Sequence, residues 1–297
     1  MLKKSRKREI IWGIIFVSPW LLGLMIFYVY PMISSFYYSF TKYTVISGPK
    51  WIGTFNYEWL ISDDIFWKAV ANTFYFMMIG VPITQLIALV IAYMFNYLKE
   101  MKSISFLKVF YLFPILIPGA ILAIVWNLIL NSQYGILNSF LRVLKINAPN
   151  WLESVQWSKP AIVLVGLWYI GTSMIIYTAA LNDIPVELYE AANLDGAKWW
   201  TKLWKITVPM ISPAVLFNVI TGMISIIQLF DLPYILTSGG PSYSSYTWAM
   251  FIYDNAFKYM KMGYASAAAW LLFLVTLGLT LMIFILSRNK IYYGGEG

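Results

Sequence analysis

Long stretches of apolar residues constrain this chain more than any other feature of its sequence. A transmembrane helix needs about 20 predominantly apolar residues to cross the hydrocarbon core of a bilayer, and six stretches reach that length. They are Ile10–Phe36, Ala69–Leu98, Ile104–Leu130, Pro160–Leu181, Ile211–Leu232 and Tyr264–Leu286. Only 11% of the residues are charged, whereas a typical soluble domain has about 25%. The sequence therefore predicts an all-α membrane protein with six transmembrane helices.

The first apolar stretch follows a basic segment, MLKKSRKRE, in the way that a signal peptide begins. The stretch is longer than the apolar region of a signal peptide, however, and no A-x-A cleavage site follows it. We therefore expect it to be retained as a transmembrane helix. Because the chain has no internal repeat and no low-complexity linker, we expect residues 1–297 to form a single membrane domain. It would comprise an N-terminal helix at about 10–36 and a core of five helices at about 69–286.

Lysine and arginine are unevenly distributed among the segments that connect the six stretches. They are more frequent in the segments on the same side as the N-terminus, and an excess of basic residues marks the cytoplasmic side. We therefore predict both termini in the cytoplasm, together with the polar segment between the fourth and fifth helices. These flanking residues also explain the net charge of +8 better than binding to nucleic acid does. The three long aromatic loops on the outer side suit the membrane interface, a partner protein or a sugar.

Two of the stretches contain residues that affect helix geometry. Pro114 and Pro118 lie within the third stretch, where proline removes a backbone hydrogen bond and either kinks the helix or breaks it beside a cavity. The last stretch begins with GYASAAAW, in which Gly263 and Ala267 are four residues apart. Small residues at this spacing allow helices to pack closely, so we expect a packing surface there rather than a ligand site.

The sequence excludes several kinds of chemistry. It contains no cysteine and no histidine, so it has no disulfide, no zinc site of the usual kind and no histidine-dependent catalytic triad. The phosphate-binding pattern G-x-x-x-x-G-K-[ST] and the hydrolase pattern G-x-S-x-G are also absent. None of the 13 acidic residues lies deep within a stretch, and Asp231 comes nearest. Because proton-coupled pumps usually need such residues, we expect this chain to be a pathway that is powered from elsewhere.

The segment ELYEAANLDGAKWWTKLWKITVP, Glu187–Pro209, is polar although apolar stretches flank it. Asn182 or Asp183 can cap a helix whose first turn holds Pro185, and Gly196 would end that helix. Three tryptophans and three lysines then suit a second short helix at the inner membrane surface. The first helix has a face of small residues, which is typical of a helix that binds in a groove of a partner protein.

Within this segment, EAANLDGAKWWTKLWKITVP at positions 190–209 resembles the EAA loop of ABC importer permeases, E-A-A-x3-G-x9-I-x-L-P, with Val208 in place of the leucine. In that family the loop forms a helix-turn-helix that fits a cleft on an ATPase subunit. The resemblance implies that six residues couple this chain to an ATPase. They are Glu190, Ala191, Ala192, Gly196, Ile206 and Pro209.

A second segment, LFDLPYILTSGGP at positions 229–241, resembles the end of the fifth span in carbohydrate-uptake permeases of the maltose and glycerol-3-phosphate type. Weaker similarities to that class are GTFNYEWL before the second span and YGILNSFL after the third. A Gly-Gly-Pro sequence gives a sharp turn just outside the membrane. This outer-turn motif consists of Thr237, Gly239, Gly240 and Pro241.

The resemblance implies a non-catalytic translocation subunit in the plasma (inner) membrane of a bacterium. Such a permease forms a heterodimer with a second, related permease and assembles with two ATPase subunits. An extracytoplasmic solute-binding protein docks on the outer loops and delivers a sugar or an oligosaccharide. The chain itself would bind no cofactor and no metal, because ATP and magnesium bind to the ATPase subunits.

Sugars are bound by aromatic faces together with polar side chains that pair with hydroxyl groups. Side chains of these kinds occur in the later stretches, although positions that face lipid or pack in the bundle explain them equally well. The candidates for the sugar pathway are Trp126, Asn127, Trp168, Tyr169, Gln228 and Asp231.

Three alternative functions fit parts of the sequence. An ABC permease for amino acids, phosphate or metals would share the EAA-like loop, but the segment at 229–241 favours carbohydrate. A secondary transporter or facilitator that works alone would explain neither this loop nor the scarcity of ionisable residues in the spans. An intramembrane enzyme would depend on aspartate, lysine or tyrosine, since the sequence shows no nucleophile–base pair.

Overall fold

The computed structural model of the protein describes residues 2–98, 101 and 104–288, with residues 2–10 described by their backbone alone. Within these residues the chain forms seventeen α-helices and one pair of short antiparallel strands. In chain order they are α1 (Leu2–Leu24), α2 (Tyr30–Ser39), β1 (Thr41–Lys42), β2 (Lys50–Trp51), α3 (Phe55–Ser62), α4 (Asp64–Tyr75), α5 (Val81–Tyr97), α6 (Ile104–Leu112), α7 (Gly119–Ile129), α8 (Ile136–Val143), α9 (Ser158–Gly166), α10 (Gly171–Asn182), α11 (Val186–Leu194), α12 (Trp199–Lys202), α13 (Val208–Met210), α14 (Ser212–Ile227), α15 (Asp231–Thr237), α16 (Trp248–Tyr253) and α17 (Met262–Ser287). Neighbouring helices are joined or extended by the π-helical segments Met25–Val29, Phe76–Gly80, Leu203–Thr207 and Asp254–Lys258 and by the 3-10 segments Phe113–Leu116 and Leu167–Tyr169.

Helical runs that are long and apolar enough to cross a membrane account for most of the chain. Three of them are unbroken: Ile11–Ser39, Asp64–Tyr97 and Met262–Ser287. Three more are pairs of helices bent at a short break, namely Ile104–Leu116 with Gly119–Ile129 (103°), Ser158–Tyr169 with Gly171–Asn182 (49°) and Trp199–Met210 with Ser212–Ile227 (65°). The protein is therefore an all-helical membrane protein with up to six candidate spans. The predicted cytoplasmic C-terminus lies outside the described residues.

The structure corrects the course of two predicted helices. The predicted fifth helix, Ile211–Leu232, is divided by a break between α14 and α15. Pro233 explains this break, since a proline in a continuous helix would clash with the preceding turn, whereas the first turn of a new helix tolerates it. The predicted fourth helix, Pro160–Leu181, is interrupted by the 3-10 segment Leu167–Tyr169. The departure from a straight helix expected at the prolines of the third stretch is confirmed by the 103° bend there.

The chain divides into two compact units, one formed by Met1–Asp63 and Ile252–Leu271 and the other by Asp64–Phe251 and Leu272–Gly297. In the first unit, the small residues at the start of α17 are buried. A β-carbon on Gly263 would collide with the carbonyl oxygen of Thr41, and the Gly263 N–H donates to the carbonyl of Tyr43 at 3.1 Å. These residues therefore serve close packing, as predicted.

In the second unit, α5 and α10 pack along their lengths. Ala88 and Ala92 are fully buried on α5, and their small side chains allow this close approach. They belong to a larger apolar group, here called the α5–α10 cluster. Its buried members are Ala88, Ala92, Phe95, Ile104, Ile170, Met174, Tyr177, Leu181, Ile184 and Ile211.

A second apolar group of the same unit, the α7–α9 cluster, joins α7, α9 and α15. Its buried members are Phe76, Leu122, Ala123, Leu130, Ala161, Ile162, Val165, Leu232 and Leu236. The two clusters hold the bent pairs of helices in place, and a cavity opens beside them.

Candidate functional site

A cavity of about 740 Å³, here called the central cavity, lies within the second unit. Residues from α5, α9, α10, α14 and α15 line it, together with the bend before α7. Its apolar walls include Phe76 and Phe230. Its polar lining residues are Thr84, Gln85, Tyr169, Thr172, Ser173, Thr221, Ser225, Gln228 and Asp231.

The polar wall of the central cavity is clearest on α14. Thr221, Ser225 and Gln228 are spaced by four and three residues, so they lie on one face of the helix, and all three are exposed. The Thr221 hydroxyl donates to the carbonyl of Phe217 at 2.8 Å, on its own helix. The side chains of Ser225 and Gln228 have no hydrogen-bond partner among the described residues, so they are available to a ligand.

Asp231 is the only charged residue among those that line the central cavity in the described part of the chain. Its carboxylate lies beside the start of α7, where a β-carbon on Gly119 would be 3.3 Å from Oδ2. The Tyr169 hydroxyl is close to the same point and donates to the carbonyl of Ile117 at 3.3 Å. No lysine or arginine is among the described residues of this lining, which suits an uncharged ligand rather than an anion.

A buried hydrogen-bond network, centred on Gln85, supports the wall of the cavity and joins three helices. The Tyr177 hydroxyl on α10 donates to Gln85 Oε1 at 3.0 Å. Gln85 Nε2 on α5 donates to Ser173 Oγ and to the carbonyl of Asn218 on α14, both at 3.3 Å. The Asn218 side chain donates in turn to the carbonyl of Ser173 at 3.3 Å. Because buried polar groups are costly without partners, this network fixes the relative positions of α5, α10 and α14.

The structure brings together three of the six residues expected in the sugar pathway. Tyr169, Gln228 and Asp231 line the central cavity. Trp126 and Trp168 form an edge-to-face pair with ring centroids 5.6 Å apart, and neither lines that cavity. Asn127 lies apart from these residues, in a second cavity considered below.

Several lining residues were missed from the sequence, among them Thr84, Gln85, Ser173 and Ser225. One signal could have identified some of them, since Thr221, Ser225 and Gln228 recur at helical spacing within an otherwise apolar stretch. Polar residues in membrane spans usually face the bundle interior or a water-filled cavity.

The polar segment between the fourth and fifth spans folds as a helix, a turn and a second helical run. Pro185 is the residue before α11, and neither Asn182 nor Asp183 caps this helix, which corrects the expected capping. Glu190 and Ala191 are exposed on α11, and Ala192 is half-buried. Gly196 has a φ of +70°, a backbone conformation that glycine adopts at little cost. It ends the helix, with the Ala197 N–H donating to the carbonyl of Ala192 at 2.9 Å.

The second helical run of this segment packs on the core of the unit. Ile206 and Met210 contact the α5–α10 cluster, and so does Tyr189 from α11. The hydroxyls of Tyr189 and Thr207 are hydrogen-bonded at 2.8 Å. Burial raises the pKa of Tyr189, so this hydroxyl keeps its proton at physiological pH. Pro209 lies in α13, just before the 65° bend into α14.

The outer-turn motif forms a compact turn after α15. Gly239 has a φ of +80°, and a β-carbon there would lie 2.6 Å from Tyr246 Cδ2, so no larger residue fits. The Thr237 hydroxyl is 2.6 Å from the Ser245 hydroxyl, and Ser245 donates to the carbonyl of Gly240 at 3.1 Å. The peptide bond between Gly240 and Pro241 is cis.

Comparison with known proteins places this architecture among transport proteins. A family described as "Binding-protein-dependent transport system inner membrane component" matches residues 64–291. The probable ABC transporter permease protein YesP of Bacillus subtilis (strain 168) is 32% identical over 299 residues, covering 98% of this chain and 96% of that protein. The lactose transport system permease protein LacF of Rhizobium radiobacter is 32% identical over 288 residues, covering 94% of each chain.

A similar fold occurs in the crystal structure of a bacterial ABC transporter involved in the import of the acidic polysaccharide alginate. One of its chains superposes with a TM-score of 0.83 at 24% sequence identity, covering 97% of this chain and 98% of that one. The likeness extends over nearly the whole chain.

Proposed function

Because the chain belongs to the family of inner membrane components of binding-protein-dependent transport systems, we propose that it is the translocation subunit of an ATP-driven ABC importer for a sugar or an oligosaccharide. The central cavity carries this proposal, since it combines aromatic rings with uncharged hydroxyl and amide groups. Such groups can pair with the hydroxyls of a sugar while the rings pack against its apolar faces. The similarity to a lactose permease supports the same class of substrate.

The subunit is a multi-pass protein of the inner membrane and is not itself an enzyme. In the proposed topology both termini are cytoplasmic, and residues 1–297 form one membrane domain in the lipid bilayer of a bacterial cell. The importer would contain a second, related permease, two ATPase subunits and an extracytoplasmic solute-binding protein. ATP and Mg²⁺ would bind to the ATPase subunits, and the work of transport would reach this chain through protein contacts.

The proposed contact with an ATPase subunit is α11 and the turn after it, where the coupling residues of the EAA-like segment lie. Exposure of Glu190 and Ala191 supports this role, because both side chains are free to meet a partner. Leu194 at the end of α11 is 91% exposed, so its side chain is also accessible to a partner. Ile206 and Pro209 lie in the second helical run, which connects this surface to the α5–α10 cluster.

Purification from native membranes through a tag on this chain tests the proposal. We expect a second permease, an ATPase and a solute-binding protein to co-purify, identified by mass spectrometry. In proteoliposomes the assembly should take up at least one of lactose, trehalose, maltotriose and arabinotriose, and only with hydrolysable ATP.

Two results would contradict the proposal. Uptake by this chain alone, without ATP, would indicate a secondary transporter or a facilitator. Uptake of amino acids, phosphate or metals by the assembly, with no uptake of any sugar, would indicate a permease of another class. A non-hydrolysable ATP analogue is the control for the uptake measurements, since it should support no uptake by the assembly.

A further inference from the structure

A second cavity of about 460 Å³, here called the outer pocket, lies at the far end of α7 and α15 from the central cavity. We propose that it is a carbohydrate-binding subsite, through which the sugar passes before it reaches the central cavity. This inference rests on the proposed function. The residues that line the outer pocket are Asn127, Leu130, Asn131, Ser132, Asn150, Leu152, Glu153, Ile235, Leu236, Thr237, Ser238, Gly240 and Pro241.

The outer pocket offers polar groups that have no hydrogen-bond partner within the described part of the chain. They include the amide nitrogen of Asn131, the hydroxyls of Ser132 and Ser238, and the side-chain oxygen of Asn127. The Asn127 amide nitrogen makes only a long contact of 3.4 Å, with the carbonyl of Leu236. Donors and acceptors thus line one space, which suits a ligand whose hydroxyl groups both donate and accept.

Hydrogen bonds and close backbone contacts hold the frame of the outer pocket. Asn131 Oδ1 accepts the backbone N–H groups of Gln133 and Tyr134 at 2.9 and 3.2 Å, which closes a turn. A β-carbon on Gly135 would collide with the carbonyl oxygen of Asn131, so this turn is tightly packed. The opposite wall is the outer-turn motif, with its hydrogen bonds to Ser245. A site whose geometry is fixed before binding loses less entropy when a ligand binds.

The charge of the outer pocket points to neutral carbohydrates. Glu153 is the only charged lining residue in the described ranges, and its carboxylate accepts a hydrogen bond from Asn150 at 2.9 Å. A carboxylate also accepts hydrogen bonds from sugar hydroxyls, but it repels sulfate, phosphate and uronate groups. Because no lysine or arginine among the described lining residues offsets this repulsion, anionic sugars are disfavoured.

The outer pocket and the central cavity share the same pair of helices. α7 begins at Gly119 in the central cavity and ends just after Asn127, which lines the outer pocket. α15 likewise begins at Asp231 in the central cavity and ends at Thr237. Because Gly119 and Asn127 both lie on α7, at positions 119 and 127, they are about 12 Å apart along the helix axis. The helices α7 and α15 therefore connect the two sites.

Thiol protection in the assembled importer tests the subsite. The chain has no cysteine, so Ser238→Cys introduces its only thiol, and N-ethylmaleimide labelling can be followed by the mass of this chain. We expect at least one of lactose, trehalose, maltotriose and arabinotriose to slow labelling several-fold. Val143→Cys, on α8 and 80% exposed, is the control and should label equally fast with and without sugar.

A second variant, Asn127→Leu, distinguishes a sugar-binding role of the outer pocket from a role in docking the solute-binding protein. Loss of one hydrogen bond to the sugar should lower uptake per ATP hydrolysed about fivefold. The concentration of sugar-loaded binding protein that half-maximally stimulates the ATPase should stay unchanged. A rise in that concentration, together with protection of Ser238→Cys by sugar-free binding protein, would overturn the inference in favour of protein docking.

The inference and the proposed function fail in different ways. If no sugar protects Ser238→Cys although the wild-type assembly takes up one of the four sugars, the subsite is wrong and the proposed function stands. If the wild-type assembly takes up amino acids, phosphate or metals and no sugar, both are wrong.

Discussion

At the scale of the residue, a close contact between two backbone segments can decide where a helix bends. Gly171, the first residue of α10, is buried against α6, and a β-carbon there would collide with the carbonyl oxygen of Tyr111. The bend before α10 therefore depends on the absence of a side chain. No proline marks this bend in the sequence, so it could not have been predicted in the way that the bend at Pro114 and Pro118 was.

We predict that Gly171→Ala destabilises the protein by about 1–3 kcal/mol, as overpacking does. The added methyl group would meet the backbone carbonyl of Tyr111, which cannot move aside as a flexible side chain can. Gly278→Ala is the matched control, because a β-carbon on Gly278, in α17, meets no other atom within 4 Å. Thermal unfolding in detergent, followed by fluorescence-detected size exclusion, should show a lower midpoint for the first variant alone. Equal midpoints would contradict the close approach.

The hydroxyl of Tyr189 gives a second prediction. Tyr189→Phe should cost about 1 kcal/mol through the lost hydrogen bond to Thr207. Burial raises the pKa of Tyr189 above its ordinary value, so the bond is fully present below a pH of about 10 and is lost only above it. The difference in unfolding midpoint between the wild type and the variant should therefore be constant from about pH 6 to pH 9. A difference that fades within this range would show that Tyr189 titrates earlier.

At the scale of the element, the central question is what holds bent helices in one arrangement. The sequence predicted six crossing helices from apolar length alone, and the described part of the structure has three unbroken candidate spans, or up to six if each bent pair is one span. It did not predict which faces of them meet, because several spans are apolar all round and their periodicity is weak. The Gln85 network shows why the contacts between helices could not be predicted. Gln85 on α5 is only 8% exposed, and its hydrogen-bond partners Ser173 and Asn218 are 88 and 133 residues away in the sequence. Pairing over such distances depends on tertiary structure.

We predict that Gln85→Leu is more harmful alone than when it is combined with Tyr177→Phe. The single change leaves the Tyr177 hydroxyl buried without its acceptor, at a cost of about 1–3 kcal/mol. The double change removes donor and acceptor together, so its cost should be smaller than the sum of the two single changes. The free energy of unfolding in SDS is to be measured for the wild type, the two single variants and the double variant. Strictly additive losses would mean that the two side chains do not interact.

At the scale of the whole molecule, the arrangement connects the exposed surface of α11 to a cavity within the second unit. Tyr189 and Ile206 of the polar segment contact the α5–α10 cluster, and α5, α10 and α14 also wall the central cavity. The sequence marked residues at both ends of this connection, through the EAA-like pattern and through Tyr169, Gln228 and Asp231, and their roles in coupling and sugar binding stay predictions. The path between them was not predictable, because it consists of packing among apolar residues that look alike in sequence.

Gly196 provides the test of that connection. Gly196→Pro should abolish ATPase activity stimulated by the binding protein, and sugar uptake with it, although the subunits still assemble or assemble more weakly. Proline cannot adopt the φ of +70° and removes the N–H that donates to Asn193 at 3.0 Å. Gly196→Ala is the control. It keeps this N–H, and its β-carbon meets open space, so strain of about 1–2 kcal/mol should leave most activity intact. Normal uptake by the proline variant would exclude a coupling role for this turn.

The three bent pairs have a consequence for how the protein is made. Their separate helical arms have at most 16 residues, or about 24 Å of helix, which is less than the hydrocarbon thickness of about 30 Å. An arm alone is therefore too short to span the bilayer, and we expect the translocon to insert the two arms of a pair together. We expect the bend of such a pair to become fixed only when the helix that packs against it is also present, which is α5 for α10 and α15 for α7.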